Sequence, residues 1–232
     1  MKKTGLIIAF LLGWQTVLAQ STPTAEEIMD KYIAAIGGKE ALLKVTDLTT
    51  NMSSEMNGNA IIMTRKQKLP NKFSMVINAN GMEVMKQTSD GEKVVMGGMQ
   101  GSRTLDGPMA KQMMVMNTLF PELYYAENGV KSTVVGTEKV DGKDTYKLSH
   151  STADGGATWT DNFDTTTGLK VQSTTKTQQG EMTTAYSDYK EANGIKFPMT
   201  LLQQSPRGPM TMSVDNVKVN KGLKDSDFNT AQ

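Results

Sequence analysis

Cysteine is absent from the chain, which excludes disulfides, thiolate metal sites and a cysteine nucleophile together. Histidine is nearly absent. The one residue, His150, shares a face with Tyr146 and Leu148 in the alternation of "TYKLSHS", the place of a strand-packing side chain rather than of a general base. No glycine-rich phosphate loop opens a helix and no H-E-x-x-H pattern occurs. The aspartates Asp141, Asp144, Asp154 and Asp164 fall at turns, where a short carboxylate bonds its own backbone. An enzyme is therefore not expected, nor a cofactor or metal. An excess of one charge is also missing, with 25 Lys+Arg against 24 Asp+Glu. Nucleic acid asks for a basic stripe, so it is not expected as a partner.

A membrane-spanning run is lacking too. The segment "MKKTGLIIAFLLGWQTVLAQS" has Lys2 and Lys3, then an apolar stretch from Leu6 to Trp14, then Val17 and Ala19 at the −3 and −1 positions of a signal-peptidase site. Its apolar stretch is about half of the ~20 residues that a bilayer span needs. Residues 1–19 are expected to be a signal peptide cleaved after Ala19, leaving residues 20–232 as a single exported domain in the periplasm. No cysteine follows the site, so the mature chain is not expected to be lipidated.

What the chain has in plenty is methionine, 18 residues of it, with four in "GPMAKQMMVMNTLF" at 107–120. Around that segment the pattern is simple. Thr24 with Glu27 forms a capping box, Ala25, Ile28, Tyr32 and Ile36 share a helical face, and Gly37-Gly38 stop the helix. A short helical turn follows in "KEALLKV", Lys39 to Val45. The period then changes to two: "FSMVINA" aligns Phe73, Met75 and Ile77, and "IKFPMTL" aligns Ile195, Phe197, Met199 and Leu201. Turn pairs such as Asn80-Gly81, Asp141-Gly142 and Asn193-Gly194 punctuate the rest, and from Gly129 onward the turn glycines stand 12 to 14 residues apart. This predicts an antiparallel meander of long strands, which twist forces to curl and whose apolar face needs filling. Met109, Met113, Met116 and Phe120 form one helical stripe, started by Pro108 and ended by Pro121, and that helix is the natural filler beside the N-terminal one. Three readings of it stand side by side: a core plug, a movable lid over a cavity for an acyl chain, or thioether coordination of Cu(I), for which Met82/Met85 and Met96/Met99 are spaced by three.

The stretch "LPNKFSMVI" followed by "SDGEKVVMGG" resembles the early strands of the LolA/LolB-like superfamily of periplasmic lipoprotein carriers, with Pro70, Asn71, Phe73, Asp90 and Gly91 at the matching places. "DNFDTTTGLKV", "YSDYKEANGIKFPMTL" and "VDNVKVNKGLKDSDF" are further similar to outer-membrane lipoprotein-sorting relatives of Bacteroidetes type. The resemblance implies a mainly β (α+β) fold, an unclosed antiparallel β-barrel of about 10–11 strands wrapped around an N-terminal helix and a central plug or lid helix. It implies a lipid or lipoprotein acyl chain as ligand, an envelope protein as donor or acceptor, and a monomer. The lipid-binding residues expected on this basis, together with the curled-sheet reading, are Phe73, Met75, Ile77, Met109, Met113, Met116, Phe120, Trp159, Phe197 and Met199. One departure stands out. The carriers place an arginine just before the Pro-Asn pair, where it bonds the lid; here the residue is Leu69, and Arg65, four residues earlier, lies on the same side by strand parity but is not an aligned substitute. A non-catalytic interaction domain with a self-filled barrel is the alternative function.

Overall fold

The structure is a computed structural model and describes residues 22–230 apart from 57, 100, 178, 179 and 207. The expected signal peptide and its cleavage site lie outside the described residues. Helix α1 (Ala25–Ala35) begins as expected: Glu27 N donates to Thr24 Oγ1 at 3.2 Å and Thr24 N donates to Glu27 Oε2 at 2.7 Å. It ends at Gly37, where a Cβ would meet the Gly194 carbonyl oxygen at 2.7 Å and where φ is +142°. Glycine is required there on both counts. After α2 (Lys39–Leu43) come strands β1 (Asp47–Met56), β2 (Asn59–Lys68), β3 (Lys72–Ala79), β4 (Met82–Ser89), β5 (Val94–Gly98) and β6 (Gly101–Leu105). Helix α3 (Gly107–Asn117) and a 3-10 turn (Pro121–Tyr124) interrupt the strands. The remaining strands are β7 (Lys131–Val140), β8 (Lys143–Ser151), β9 (Thr158–Asp164), β10 (Lys170–Thr177), β11 (Gly180–Ser187), β12 (Lys190–Ala192), β13 (Ile195–Phe197), β14 (Thr200–Ser205) and β15 (Gly208–Val219), followed by a 3-10 turn at Asp225–Phe228.

Thirteen strands make one antiparallel sheet in the order β6-β5-β4-β3-β2-β1-β15-β14-β11-β10-β9-β8-β7, and the sheet is not closed. The expected architecture is present, with more strands than the about 10–11 expected from the sequence. The extra ones are short. The five-residue strands β5 and β6 meet through Gly98 and Gly101, and glycine carries no side chain to show alternation. "IKFPMTL" is not one strand but two: Pro198 separates β13, which pairs only with β12, from β14, which joins the large sheet. A proline cannot donate to a ladder, so the chain changes partner at that point.

The edge strands β6 and β7 are consecutive in the chain, and α3 with its following turn connects them. The sheet's opening is thus spanned by the one helical insertion. Helix α1 fills the concave side: Ile28 packs on Leu148 and Phe163, while Ile33 and Ile36 join Leu42, Val45, Leu48, Ile195 and Val219. Among the described residues no helix is long and apolar enough to cross a membrane.

Candidate apolar cavity and its roof

The register of the strands shows which side chains face inward. Leu48 pairs with Gln67 and Gln67 with Phe73; Thr50 with Arg65 and Arg65 with Met75; Met52 with Met63 and Met63 with Ile77. Paired residues lie on one face of a sheet, so Phe73, Met75 and Ile77 share the concave face, as alternation predicts. Across β1 the same face continues through Val214, Leu201, Tyr186, Ser173, Asp161 and Trp159. It encloses a cavity of about 390 Å³ whose walls include Met52, Met116, Trp159, Met182, Phe197 and Leu201. Of the residues expected at the site, Met116, Phe120, Trp159 and Phe197 line this cavity. Phe73 instead lies buried beneath α3, and Met75 and Ile77 lie farther along the same face outside it. Met199 is a corner residue: its N–H donates to the Ser187 carbonyl at 3.1 Å and its carbonyl accepts from Val214 at 2.8 Å.

Helix α3 differs from the stripe expected of it. Its buried side chains are Ala110 and Met114, which pack on Phe73 and Val94, with Met113 at the margin of that cluster. Met109 is 58% exposed. The buried line runs one residue later, about 100° around the helix, because Ala110 lets the backbone come close to the sheet. The helix also stops at Asn117, before Pro121 is reached. Asn117 Nδ2 donates to the Met113 carbonyl at 2.9 Å; Gln67 Nε2 donates to the carbonyls of Asn117 at 2.8 Å and Thr118 at 3.1 Å; Thr118 Oγ1 donates to the Pro70 carbonyl at 2.9 Å. The two Gln67 bonds take up carbonyls at the helix end, which has no intrahelical partners for them, and the Thr118 bond ties the segment to the turn before β3. Phe120 lies beyond the helix with φ +46°, and its ring centroid is 6.3 Å from that of Phe197. Arg65 Nη2 donates to Asn117 Oδ1 at 3.2 Å, so an arginine of β2 does hold the roof. Leu69 packs into the core cluster around α1.

The Pro-Asn and Asp-Gly pairs form one structural unit. The Leu69-Pro70 bond is cis, and Asn71 Nδ2 donates to the Gly91 carbonyl at 3.0 Å. A Cβ on Gly91 would meet Asn71 Oδ1 at 2.7 Å, so the second pair needs its glycine for the approach. Asp90 accepts from the backbone of Glu92 and Lys93 and from Thr230, which ties the C-terminal segment to the same place.

A polar cluster sits in the cavity wall. A bulge between Lys170 and Gln172 turns both Lys170 and Ser173 inward. Lys170 Nζ pairs with Glu122 of the roof turn and lies 3.0 Å from Asp161 Oδ2; Ser173 Oγ donates to Asp161 Oδ1. The ammonium also stands 5.4 Å from the Tyr32 ring centroid and 5.6 Å from that of Phe163. Burial alone would lower the Lys170 pKa, but Asp161 and Glu122 overrule it and hold the group well above its usual value. Burial would likewise raise Asp161, yet Lys170, His150 and Ser173 keep it below the ordinary carboxylate range. His150 is buried as a strand-packing side chain, its ring stacked on Trp159 at 5.2 Å and accepting from or donating to Ser132 Oγ through Nδ1 at 2.8 Å. Burial pushes its pKa down, with Asp161 pulling the other way. His150 Nε2 and Asp161 Oδ2 are 3.5 Å apart, too far for a hydrogen bond. One signal for this cluster was present: the alternation of "TWTDNFD" sets Asp161 between Trp159 and Phe163 on the inner face. Lys170 was hidden because a bulge breaks parity.

The fold is similar to those of several solved structures. A LolA superfamily protein from Nitrosomonas europaea superposes with a TM-score of 0.60 at 12% identity, over 90% of this chain and 99% of the other. A DUF1329 family protein from Desulfovibrio piger gives 0.58 at 14% identity, over 90% and 98%. A putative outer membrane lipoprotein-sorting protein domain from Vibrio parahaemolyticus gives 0.56 at 14%, over 88% and 95%. No protein-family model matches the sequence, and no curated protein matches it.

Proposed function

We propose that this protein is a soluble periplasmic carrier that buries the acyl chain of a lipoprotein, or of another amphiphile, in the cavity on the concave face of its open barrel. The observation that carries this reading is the cavity itself, about 390 Å³ with methionine, leucine and aromatic walls, roofed by a helix whose end is attached to β2 by a few side-chain hydrogen bonds. Its volume falls in the ~300–1,000 Å³ of small-ligand sites. Each methylene moved from water into such a cavity contributes about 0.8 kcal/mol. Methionine suits the walls because an unbranched thioether repacks around chains of different shape at little cost. The resemblance in fold to the LolA superfamily protein and to the putative outer membrane lipoprotein-sorting protein domain supports the reading. An envelope protein would deliver or receive the cargo, and a monomer suffices for binding.

Native mass spectrometry of gently purified protein, with lipid analysis of what is released, tests the proposal. Adducts of acyl-chain mass that disappear on denaturation are expected. Clean apo protein that also fails to bind an uncharged fluorescent apolar probe would overturn it. That outcome would favour the second reading, an interaction domain filled by its own side chains, for which the closed packing of Ala110 and Met114 on Phe73 and Val94 speaks. Copper binding is not carried forward. Arg103 Nη2 donates to the Met96 sulfur at 3.5 Å, and a guanidinium on the thioether opposes a cation there.

A further inference from the structure

Three cations line the cavity: Arg65 on β2 and Lys170 on β10 stand on the large sheet, and Lys196 of β13 is exposed to water. A cation beside apolar walls is costly unless anions or other acceptors replace its water, so what satisfies each one shows what the cavity is built to receive. For Lys170 the wall supplies Asp161, and the roof supplies the Glu122 carboxylate, whose side chain is only 7% exposed. For Arg65 the roof supplies the amide oxygen of Asn117, and among the described residues Arg65 has no ion pair. Both roof oxygens come from residues 117–122, the segment that lines the cavity at the end of α3. A ligand that displaced this segment without bringing oxygens of its own would leave Arg65 bare and Lys170 with one partner.

From this juxtaposition we propose that the cavity selects amphiphiles with an anionic head, a carboxylate or phosphate, which takes the place of Glu122 on Lys170 or of Asn117 on Arg65. The inference rests on the carrier reading and adds to it the charge of the cargo. Asp161 does not argue against it. Its second oxygen is engaged by Ser173, and Glu122 itself shows that the wall accommodates another carboxylate beside Asp161. A neutral or cationic head cannot make the exchange, because it offers Lys170 less than Glu122 already gives.

The test is competition against an uncharged apolar fluorophore by dodecanoate, dodecyl phosphate, dodecanol and dodecyltrimethylammonium, which share one tail. The full mature protein is expected to bind the better of the two anions at least about tenfold more tightly than the alcohol, and the cation least. Glu122→Gln removes the resident competitor, so it should tighten the anions several-fold and leave the alcohol unchanged. Lys170→Met should reduce the preference, and Lys170→Met with Arg65→Met should erase it. Equal binding of all four heads by the parent, or no anion-specific gain in Glu122→Gln, would overturn the inference while leaving the carrier reading intact. Failure of the fluorophore and of every competitor to bind would sink both. If Lys170→Met does not fold, the Glu122→Gln comparison decides alone. The order of dodecanoate and dodecyl phosphate distinguishes a carboxylate-headed cargo from a phosphate-headed one.

Discussion

At the scale of single residues, the cavity wall couples stability to pH through His150 and Asp161. The histidine is held below its ordinary value of 6.5 mainly by burial, against the pull of Asp161. A base with a depressed folded pKa is protonated more readily in the unfolded chain, so its contribution is present above pH 6.5 and is lost as pH falls toward the folded value. Asp161, also depressed, has the same sign at lower pH: its contribution is lost as pH falls below the ordinary 3.8 through its folded value. Urea midpoints are therefore expected to drop between about pH 7 and about pH 5, and His150→Gln should flatten that interval while keeping the loss in stronger acid. Parallel slopes for the variant and its parent would refute the assignment. A second residue-scale expectation concerns Gly37. An alanine there must both adopt φ +142° and approach the Gly194 carbonyl at 2.7 Å, so Gly37→Ala should cost about 1–3 kcal/mol in chemical denaturation. Gly38→Ala, with positive φ but open space around its Cβ, should cost less.

At the scale of elements, α3 is where pattern and packing part company. Periodicity fixed on methionine because methionine was the commonest apolar residue in the segment, and it passed over Ala110, the small residue that sets the distance of approach. The consequence is testable. Met109→Glu, at an exposed position, should change thermal stability by less than about 0.5 kcal/mol. Met114→Glu, 7% exposed against Phe73 and Val94, places a carboxylate in an apolar contact and should cost about 3 kcal/mol or more. Calorimetry on the pair compares the two faces of one helix, and a reversed order would show that the stripe first expected is the buried one. Elsewhere the local chemistry was legible. The α1 capping box and the φ-positive pairs Asn80-Gly81, Asp141-Gly142 and Asn193-Gly194 are strong short-range signals, and each is realised. What was not legible depended on partners far away in the chain. Parity could not anticipate the bulge that turns Lys170 inward, and no local signal joins Glu122 to Lys170 across 48 positions.

At the scale of the whole molecule, the curled meander and its helical insertion followed from turn spacing and amphipathicity, whereas the place of β15 beside β1 did not. That pairing brings the first and last strands together, and it is held beyond the ladder by Asn220. The Asn220 side chain accepts from Thr46 N at 2.8 Å and donates to the Lys44 carbonyl at 2.9 Å. Lys2 and Lys3, the short apolar stretch and Ala19 lead us to expect a mature protein that begins at Gln20. Intact mass of the exported protein checks this, and a species that retains Met1 would contradict it. The sequence runs out to one edge of the sheet at β6 and resumes at the other edge with β7, so the covalent link between the two halves lies at the opening, while hydrogen bonds between β1 and β15 join them at the centre. A protease that cut the connection after α3 would leave two fragments still zipped along that central ladder. The same two fragments, produced separately, are expected to find each other and rebuild one barrel.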